Sequence, residues 1–434
     1  MFQTIRNAWK ITDLRKKILF TMLIILLYRI GNVVPVPFVN TDMMAKVFQS
    51  AGMQNTILGL YNVMSGSAFS RATVFALSIQ PYINASIIIQ LLTIAIPALE
   101  RLSKEEGEEG KKKIERITRY TTVGLGLLMG FAYWAMLRNY DTQYISAYGD
   151  ESRILLSTSF GSAALIILSF TAGSALVMWL GEQITEFGIG NGISMILFAN
   201  ILSRIPDMIN TMTNGTIPWW GDILIVIGIL LLIAFIVYIT QAERRIPVSY
   251  AKRVVGRKQY GGQNTHLPIK VNMSGVLPVI FAQSVATLPA TVCMFINKTD
   301  GWWYKNVFSS NSVIYAVIYL ILIIAFSYFY ATIQYNPVEI ANNLRKNGGF
   351  IPGYRPGRPT SDFIHRVINK ITLFGAIFLG IVALLPIIVG MIFPNVGALA
   401  IGGTSVIIVV GVALEVVQAL ESQMLMRHYK GFLE

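Results

Sequence analysis

Asp222 to Thr240 reads DILIVIGILLLIAFIVYIT, and Gln241 to Asn272 continues QAERRIPVSYAKRVVGRKQYGGQNTHLPIKVN. The first stretch is long enough to cross a bilayer as a helix, because about 20 apolar residues span the hydrocarbon core. The second carries Arg244, Arg245, Lys252, Arg253, Arg257, Lys258 and Lys270 against a single acidic residue, Glu243. A loop so long and so basic exceeds what is needed to join two spans, and it predicts a docking surface for a large partner.

The rest of the chain repeats this alternation. It is 54% hydrophobic and only 13% charged, against roughly 25% charged residues in soluble domains. It is therefore read as an integral membrane protein, and its 434 residues as one helical bundle. The lone Cys293 excludes an internal disulfide and reads as a packing residue. Ten candidate spans lie near 18–37, 74–97, 117–139, 154–180, 193–210, 222–240, 273–296, 312–334, 367–392 and 399–420. The first begins like a signal peptide, with Arg15, Lys16 and Lys17 ahead of an apolar run, but no small-residue cleavage site follows, so it is expected to stay as an anchor. In the fifth, Arg204 and Pro206 interrupt the apolar run after about a dozen residues.

Charge orients the bundle. Basic residues gather before span 1 (Arg6, Lys10, Arg15, Lys16, Lys17), between spans 2 and 3 (Arg101 to Arg119), between 6 and 7, between 8 and 9 (Arg345 to Lys370), and in the tail (Arg427, Lys430). These segments hold 27 of the 35 Lys and Arg, and the positive-inside rule makes that side the cytoplasm. The segment between spans 4 and 5, with Glu182 and Glu186, is the exception. Both termini are then cytoplasmic. The net charge of +13 suits anionic lipids, ribosomal RNA or an acidic protein surface, and equally serves only to set topology.

Five spans per half make the second half enter from the opposite face, which is the arithmetic of an inverted repeat. A short echo supports it: Pro81-Tyr82-Ile83-Asn84-Ala85 in span 2 and Pro278-Val279-Ile280-Phe281-Ala282 in span 7 are both P-x-I-x-A. Between spans 1 and 2, NTILGLYNVMSGSAFSRAT (Asn55 to Thr73) is too short and too polar to cross. It reads as a re-entrant helix stopping a cavity, or on periodicity alone as an ordinary external loop. Phe2, Ile5 and Trp9, with Arg6 and Lys10 beside them, predict an amphipathic helix on the membrane surface, the alternative being a disordered basic leader.

Several long motifs carry a family resemblance. FSRATVFALSIQPYINASIIIQLLTIAIP, GEQITEFGIGNGISMILFANI, QAERRIPVSYAKR through NTHLPIKVNMSGVLPVIFA, and NPVEIANNLRKNGGFIPGYRPG run in order along essentially the whole chain and resemble the SecY/Sec61-alpha family. One departure is Ser78, where the family more often has glycine. The resemblance implies an all-α polytopic membrane protein of ten transmembrane helices in two inverted halves: a cytoplasmic segment 1–17, halves over 18–215 and 216–420 with cytoplasmic loops 241–272 and 335–366, and a tail 421–434. It implies a protein-conducting channel in the bacterial cytoplasmic membrane that passes unfolded polypeptides and releases transmembrane segments sideways.

Carried over residue by residue, the pore ring would be Ile79, Ile83, Ile193, Leu197, Ile280 and Ile408. The plug would be Ile57, Leu58, Gly59, Leu60, Tyr61, Asn62, Val63, Met64, Ser65, Gly66 and Ser67. The side gate would open between spans 2/3 and 7/8, with Asn84, Gln90, Gln283 and Ser284 as its polar candidates. Arg253, Arg257, Lys258 and Arg355 would meet the SecA motor ATPase or the ribosome, and the small SecE and SecG subunits, signal peptides, nascent chains and anionic lipids complete the implied partners. No cofactor, metal or catalytic residue is implied. His266, His365 and His428 stand apart, no GxxxxGK[ST] loop occurs, and Gly188-Ile189-Gly190-Asn191-Gly192 follows a span and reads as a tight turn. An ion-coupled transporter would keep acidic groups at mid-membrane, whereas the spans offer chiefly Arg29 and Glu415.

Overall fold

The computed structural model describes residues 2–50, 57–104, 107–148, 153–206, 209, 219–250, 253–255, 258–260, 264–272, 275–295, 302, 306–307, 312–392 and 403–430. Ten helices overlie the ten candidate spans: α2 (Thr12–Gly31), α5 (Gln80–Ala95), α7 (Gly107–Tyr148), α8 (Phe160–Phe187), α9 (Gly192–Leu202), α10 (Trp219–Gln241), α11 (Leu277–Phe295), α12 (Val313–Gln334), α14 (Arg358–Ile392) and α15 (Gly403–Lys430). Shorter helices are α1 (Phe2–Lys10), α3 (Thr41–Ser50), α4 (Ile57–Met64), α6 (Pro97–Lys104) and α13 (Pro337–Lys346). By length and composition, six stretches among the described residues suffice to cross a membrane, and Gly192–Leu202 and Leu277–Pro289 are shorter apolar helices. α10 turns Leu224, Leu230, Leu231 and Tyr238 outward, as a lipid-facing helix must.

Where helix bounds differ from expectation, the cause is local. Span 2 does not start at 74, because residues 65–79 form tight turns in which Ala72 and Ser78 are left-handed at φ 49° and 50°. The helix begins only at Gln80, with Pro81 in its first turn, where proline is well placed. Span 1 ends at Gly31 and the chain runs on through two turns, with Pro35 bridged to Thr73 and Val39 to Leu155. That second bridge explains why span 4 starts six residues late. Asp141 fixes it, its Oδ1 accepting from the amides of Ile154 (2.6 Å) and Leu155 (3.1 Å). Span 5 stops at Leu202, ahead of Arg204 and Pro206, and its 11 residues reach only about 16 Å.

The N-terminal helix forms and docks on α15 while leaving Arg6, Trp9 and Lys10 exposed. Ala8, with Leu14 and Ile189, packs against Leu420 of α15, and Thr4 Oγ1 donates to Glu421 Oε1 at 3.1 Å. α15 continues as helix to Lys430, into what was expected to be a tail.

The basic segment between spans 6 and 7 is a hairpin. β1 (Glu243–Tyr250) pairs antiparallel with β4 (Asn264–Lys270) from Glu243↔Lys270 to Ser249↔Asn264, and β2 (Arg253–Val255) pairs with β3 (Lys258–Tyr260) beyond it. β5 (Gly349–Phe350), from the segment between spans 8 and 9, adds to the other edge through Ser249↔Phe350 and Tyr250↔Gly349. Ile246, Val248 and Ile269 turn their apolar faces onto Ala341 of α13 and Ile364 and Ile368 of α14, the period-2 burial of a half-covered sheet. Lys270 Nζ donates to Gln418 Oε1 of α15 at 2.7 Å. The two expected loops are thus one small folded body at one end of the bundle.

The halves meet along two lines. On one side α11 contacts α5 and α7; on the other α15 contacts α9. The P-x-I-x-A echo acquires a physical cause here. Pro81 and Pro278 each open their helix near its first turn, and this sets Ile83 and Ile280 at equivalent places in the second span of each half.

Candidate functional site

Ile79 is the residue just before α5, and Ile83 follows one turn later, its amide donating to Ile79 O at 3.0 Å. Ile193 and Leu197 lie on α9, whose start is capped by Asn191 accepting from the amides of Ile193 (3.0 Å) and Ser194 (3.4 Å). This is the standard means of satisfying orphan helix amides. α9 lies tightly on α8, since a Cβ at Gly192 would fall 1.8 Å from Gly181 O. Ile280 comes from α11 and Ile408 from α15. Ile79, Ile83, Leu197, Ile280 and Ile408 are buried in one apolar cluster, with Ile193 partly buried against it. Four helices from both halves therefore contribute the six ring candidates to one apolar cluster, called the waist below.

Residues 57–67 sit on that waist as α4 and the turn after it. The side chains of Ile57 and Leu60 lie outside the described residues. Leu58 and Tyr61 pack with Phe69, Tyr133 and Phe170 in the first half, while Met64 belongs to the waist cluster. Ring pairs Phe69–Tyr133 (4.6 Å) and Tyr133–Phe170 (4.7 Å) hold edge-to-face geometry, and Tyr133 OH donates to Phe69 O at 2.5 Å. The turn closes on Asn62, whose Oδ1 accepts from Ser70 N at 2.9 Å and whose carbonyl accepts from Ser67 N at 2.9 Å. Gly66 has φ 64°, and a Cβ there would lie 2.7 Å from Arg29 Nη1 and 2.8 Å from Asn200 Oδ1, so only glycine fits. The Met64 sulfur faces two amides from opposite halves, Gln80 Nε2 at 3.4 Å and Gln283 Nε2 at 3.8 Å.

The four seam candidates separate in role. Gln90 makes the short contact across the halves, its Oε1 accepting from Tyr330 OH of α12 at 2.7 Å. Beside it Phe281 of α11 lies 5.2 Å from the Tyr330 ring. Asn84 stays within its own lip, with Nδ2 3.9 Å from Met129 Sδ of α7, and Gln283 turns to Met64. Asn84 Oδ1, Gln283 Oε1 and Ser284 Oγ are buried without a hydrogen-bond partner. A cavity of about 1030 Å³ opens at the sheet end of this seam, lined from both halves by Gln90, Thr93, Glu100, Tyr328, Tyr330 and Glu339 among others.

On the sheet body, Arg355 is exposed in a fixed loop. Its carbonyl accepts from Thr360 Oγ1 at 2.7 Å, Tyr354 stacks on Phe363 at 4.2 Å, and Gly353 and Gly357 take φ 89° and 107°. Arg253 and Lys258 stand on the distal β2–β3 ladder. Their side chains, and Arg257 altogether, lie outside the described residues.

Sequence reasoning missed Gln80, Asn200, Tyr28 and Tyr330. Asn200 carried the clearest signal, one amide inside the apolar run MILFANIL.

Comparison with known proteins places the chain. The family model described as SecY matches residues 73–417. The protein translocase subunit SecY of Streptomyces scabiei is 43% identical over 442 residues, covering 100% of both chains. A solved SecY structure, described as one whose plug domain stabilises the closed state of the translocation channel, superposes with a TM-score of 0.63 at 19% identity over 94% of this chain and 92% of its own. Sec61 from the canine ribosome-channel complex gives 0.59 at 18% over the same shares.

Proposed function

The chain belongs to the SecY family of protein translocase subunits, and from that membership we propose that its waist, its 57–67 segment and its seam are the seal, plug and lateral gate of a channel for unfolded polypeptides. It is a multi-pass membrane subunit of a protein-conducting channel. The observation that carries the reading is that six branched apolar side chains from both halves belong to one buried apolar cluster that also includes Met64. Such side chains exclude water and ions yet hold no fixed hydrogen bonds that a threading polypeptide must break. Sideways release needs the halves to part where α5 and α7 face α11 and α12, and the Gln90–Tyr330 bond is the polar tie there.

The membrane is the bacterial cytoplasmic membrane, with the sheet body and both termini on the cytoplasmic side, following the basic residues. The chain itself performs no catalysis. Work comes from a partner: the SecA motor or a translating ribosome grips the sheet body through Arg253, Arg257, Lys258 and Arg355, while SecE and SecG brace the bundle and anionic lipids meet its basic flanks.

The test is reconstitution of the chain with its small subunits and the motor ATPase in vesicles, followed by protease protection of an unfolded precursor. Protection is expected, and its absence in correctly inserted complexes overturns the function. In the same vesicles, cysteines replacing Gln90 and Tyr330, with Cys293→Ser, are joined by a short thiol crosslinker. Transport should then stop and return on cleavage of the linker; transport through the joined form moves the gate elsewhere.

A further inference from the structure

Asn200 lies in the last turn of α9, fully buried, and its amide nitrogen faces the last residue of α4. Nδ2 donates to Met64 O at 2.7 Å and to Tyr28 OH at 2.8 Å, and Ser78 Oγ stands at 3.4 Å. Tyr28 OH and Ser78 Oγ are themselves 3.2 Å apart. One amide thus joins span 1, the turn before span 2, span 5 and the end of the 57–67 helix.

We propose that Asn200 is the positioning residue that latches this helix shut, an inference that rests on reading 57–67 as the plug. The terminal carbonyls of a helix have no intrahelical donor, and away from water each needs one. Asn200 supplies that donor to Met64. The same amide also stands against the turn that follows, its Oδ1 lying 2.8 Å from the Cβ position of Gly66 beside Arg29 Nη1. Both of these atoms are buried without a hydrogen-bond partner, so the hold on the turn comes from Nδ2, while Oδ1 fixes how close residue 66 can come.

The latch is asymmetric. Tyr28, Asn32, Ser78 and Asn200 all belong to the first half, and Asn32 Nδ2 adds a bond to Ser65 O at 3.3 Å. Among the hydrogen bonds described for the segment, Gln283 is the second-half donor, and it meets a sulfur at 3.8 Å.

The test uses the assembled channel in vesicles, with no substrate present. Interhelical hydrogen bonds in membranes are worth about threefold each in population, so Asn200→Leu, which removes two short ones, should raise ion conductance about eightfold. It should slow crosslinking of a Met64→Cys, Gln283→Cys pair, made in the Cys293→Ser background, by a similar factor. Tyr28→Phe should raise conductance alone and add nothing to Asn200→Leu, because both break one network; additive effects with unchanged crosslinking would reduce Asn200 to a packing residue and overturn the latch. Should Asn200→Leu fail to assemble, Gly66→Ala decides, since its Cβ would fall 2.8 Å from Asn200 Oδ1 and push the same amide off its seat; a tight channel in that variant overturns the latch. Deletion of 57–67 separates the two ideas. Leak on deletion without leak in Asn200→Leu ends the latch and leaves the plug, whereas a tight deletion variant ends both.

Discussion

Vesicles carrying the channel with Ile83, Ile193 and Ile280 all replaced by serine should conduct ions in the absence of any substrate, at least about a hundredfold above the parent. The magnitude follows from the barrier that a dry apolar constriction presents. Moving an ion from water into a medium of low dielectric costs of order 20 kcal/mol in the idealised limit and several kcal/mol after relaxation, while a hydroxyl-lined constriction admits water that lowers this barrier. A hundredfold change needs only about 2.7 kcal/mol of it. Ile83 and Ile280 come from corresponding places in the two halves, and Ile193 from α9, so the triple change opens three sectors of the waist together. Truncating buried isoleucines also costs about 2–5 kcal/mol of stability each at the upper end. The measurement therefore includes single substitutions, whose leak should be graded, and a check that the complex remains assembled. An unchanged conductance in an assembled triple variant removes the waist from the seal.

Arg355→Glu should leave insertion and assembly intact and abolish motor-driven export. The side chain is exposed, while the loop is fixed by its own backbone, through the Thr360 bond and the Tyr354–Phe363 stack. Surface changes away from such fixtures usually stay within about 0.5 kcal/mol of stability. Affinity for an acidic partner surface or RNA behaves differently. Losing one side of a docked charge pair costs about 2–5 kcal/mol, or roughly thirtyfold to several thousandfold in binding. Raising salt should weaken the parent and leave the variant little changed. Normal export by an Arg355→Glu strain would detach this loop from the partner.

The span pattern and the class were legible because hydropathy and charge are properties of composition, insensitive to how helices pack. The start of span 2 was not. Nothing in FSRATVFALSIQP announces that Ser78 takes a left-handed φ of 50°, a conformation costing a non-glycine residue roughly 1–2 kcal/mol. The structure gives that departure from the family's glycine a reason. The Ser78 hydroxyl reaches Tyr28 OH and, at 3.4 Å, Met64 O, which glycine could not. The hairpin was half visible: Ile246 and Val248 already alternate with polar neighbours, but its pairing with Gly349 and Phe350 joins positions a hundred residues apart that no local pattern links. The seam shows the same limit. Asn84, Gln90, Gln283 and Ser284 were all recognisable as polar residues in apolar helices, yet that Gln90 and Gln283 cross to the other half depends on helix rotation, and the tyrosine that donates to Gln90 lies 240 positions away.

The sheet body makes the bundle a lever with two output arms. β4 ends at Lys270, whose main chain continues within ten residues to Ile280, while its ammonium is clamped to Gln418, ten residues from Ile408. β5, five residues before Arg355, is hydrogen-bonded to β1, β1 is paired with β4, and β4 leads by main chain to α11 and by the Lys270–Gln418 bond to α15. Two of the six ring candidates are therefore wired to one sheet, and a displacement of that sheet would be felt at both.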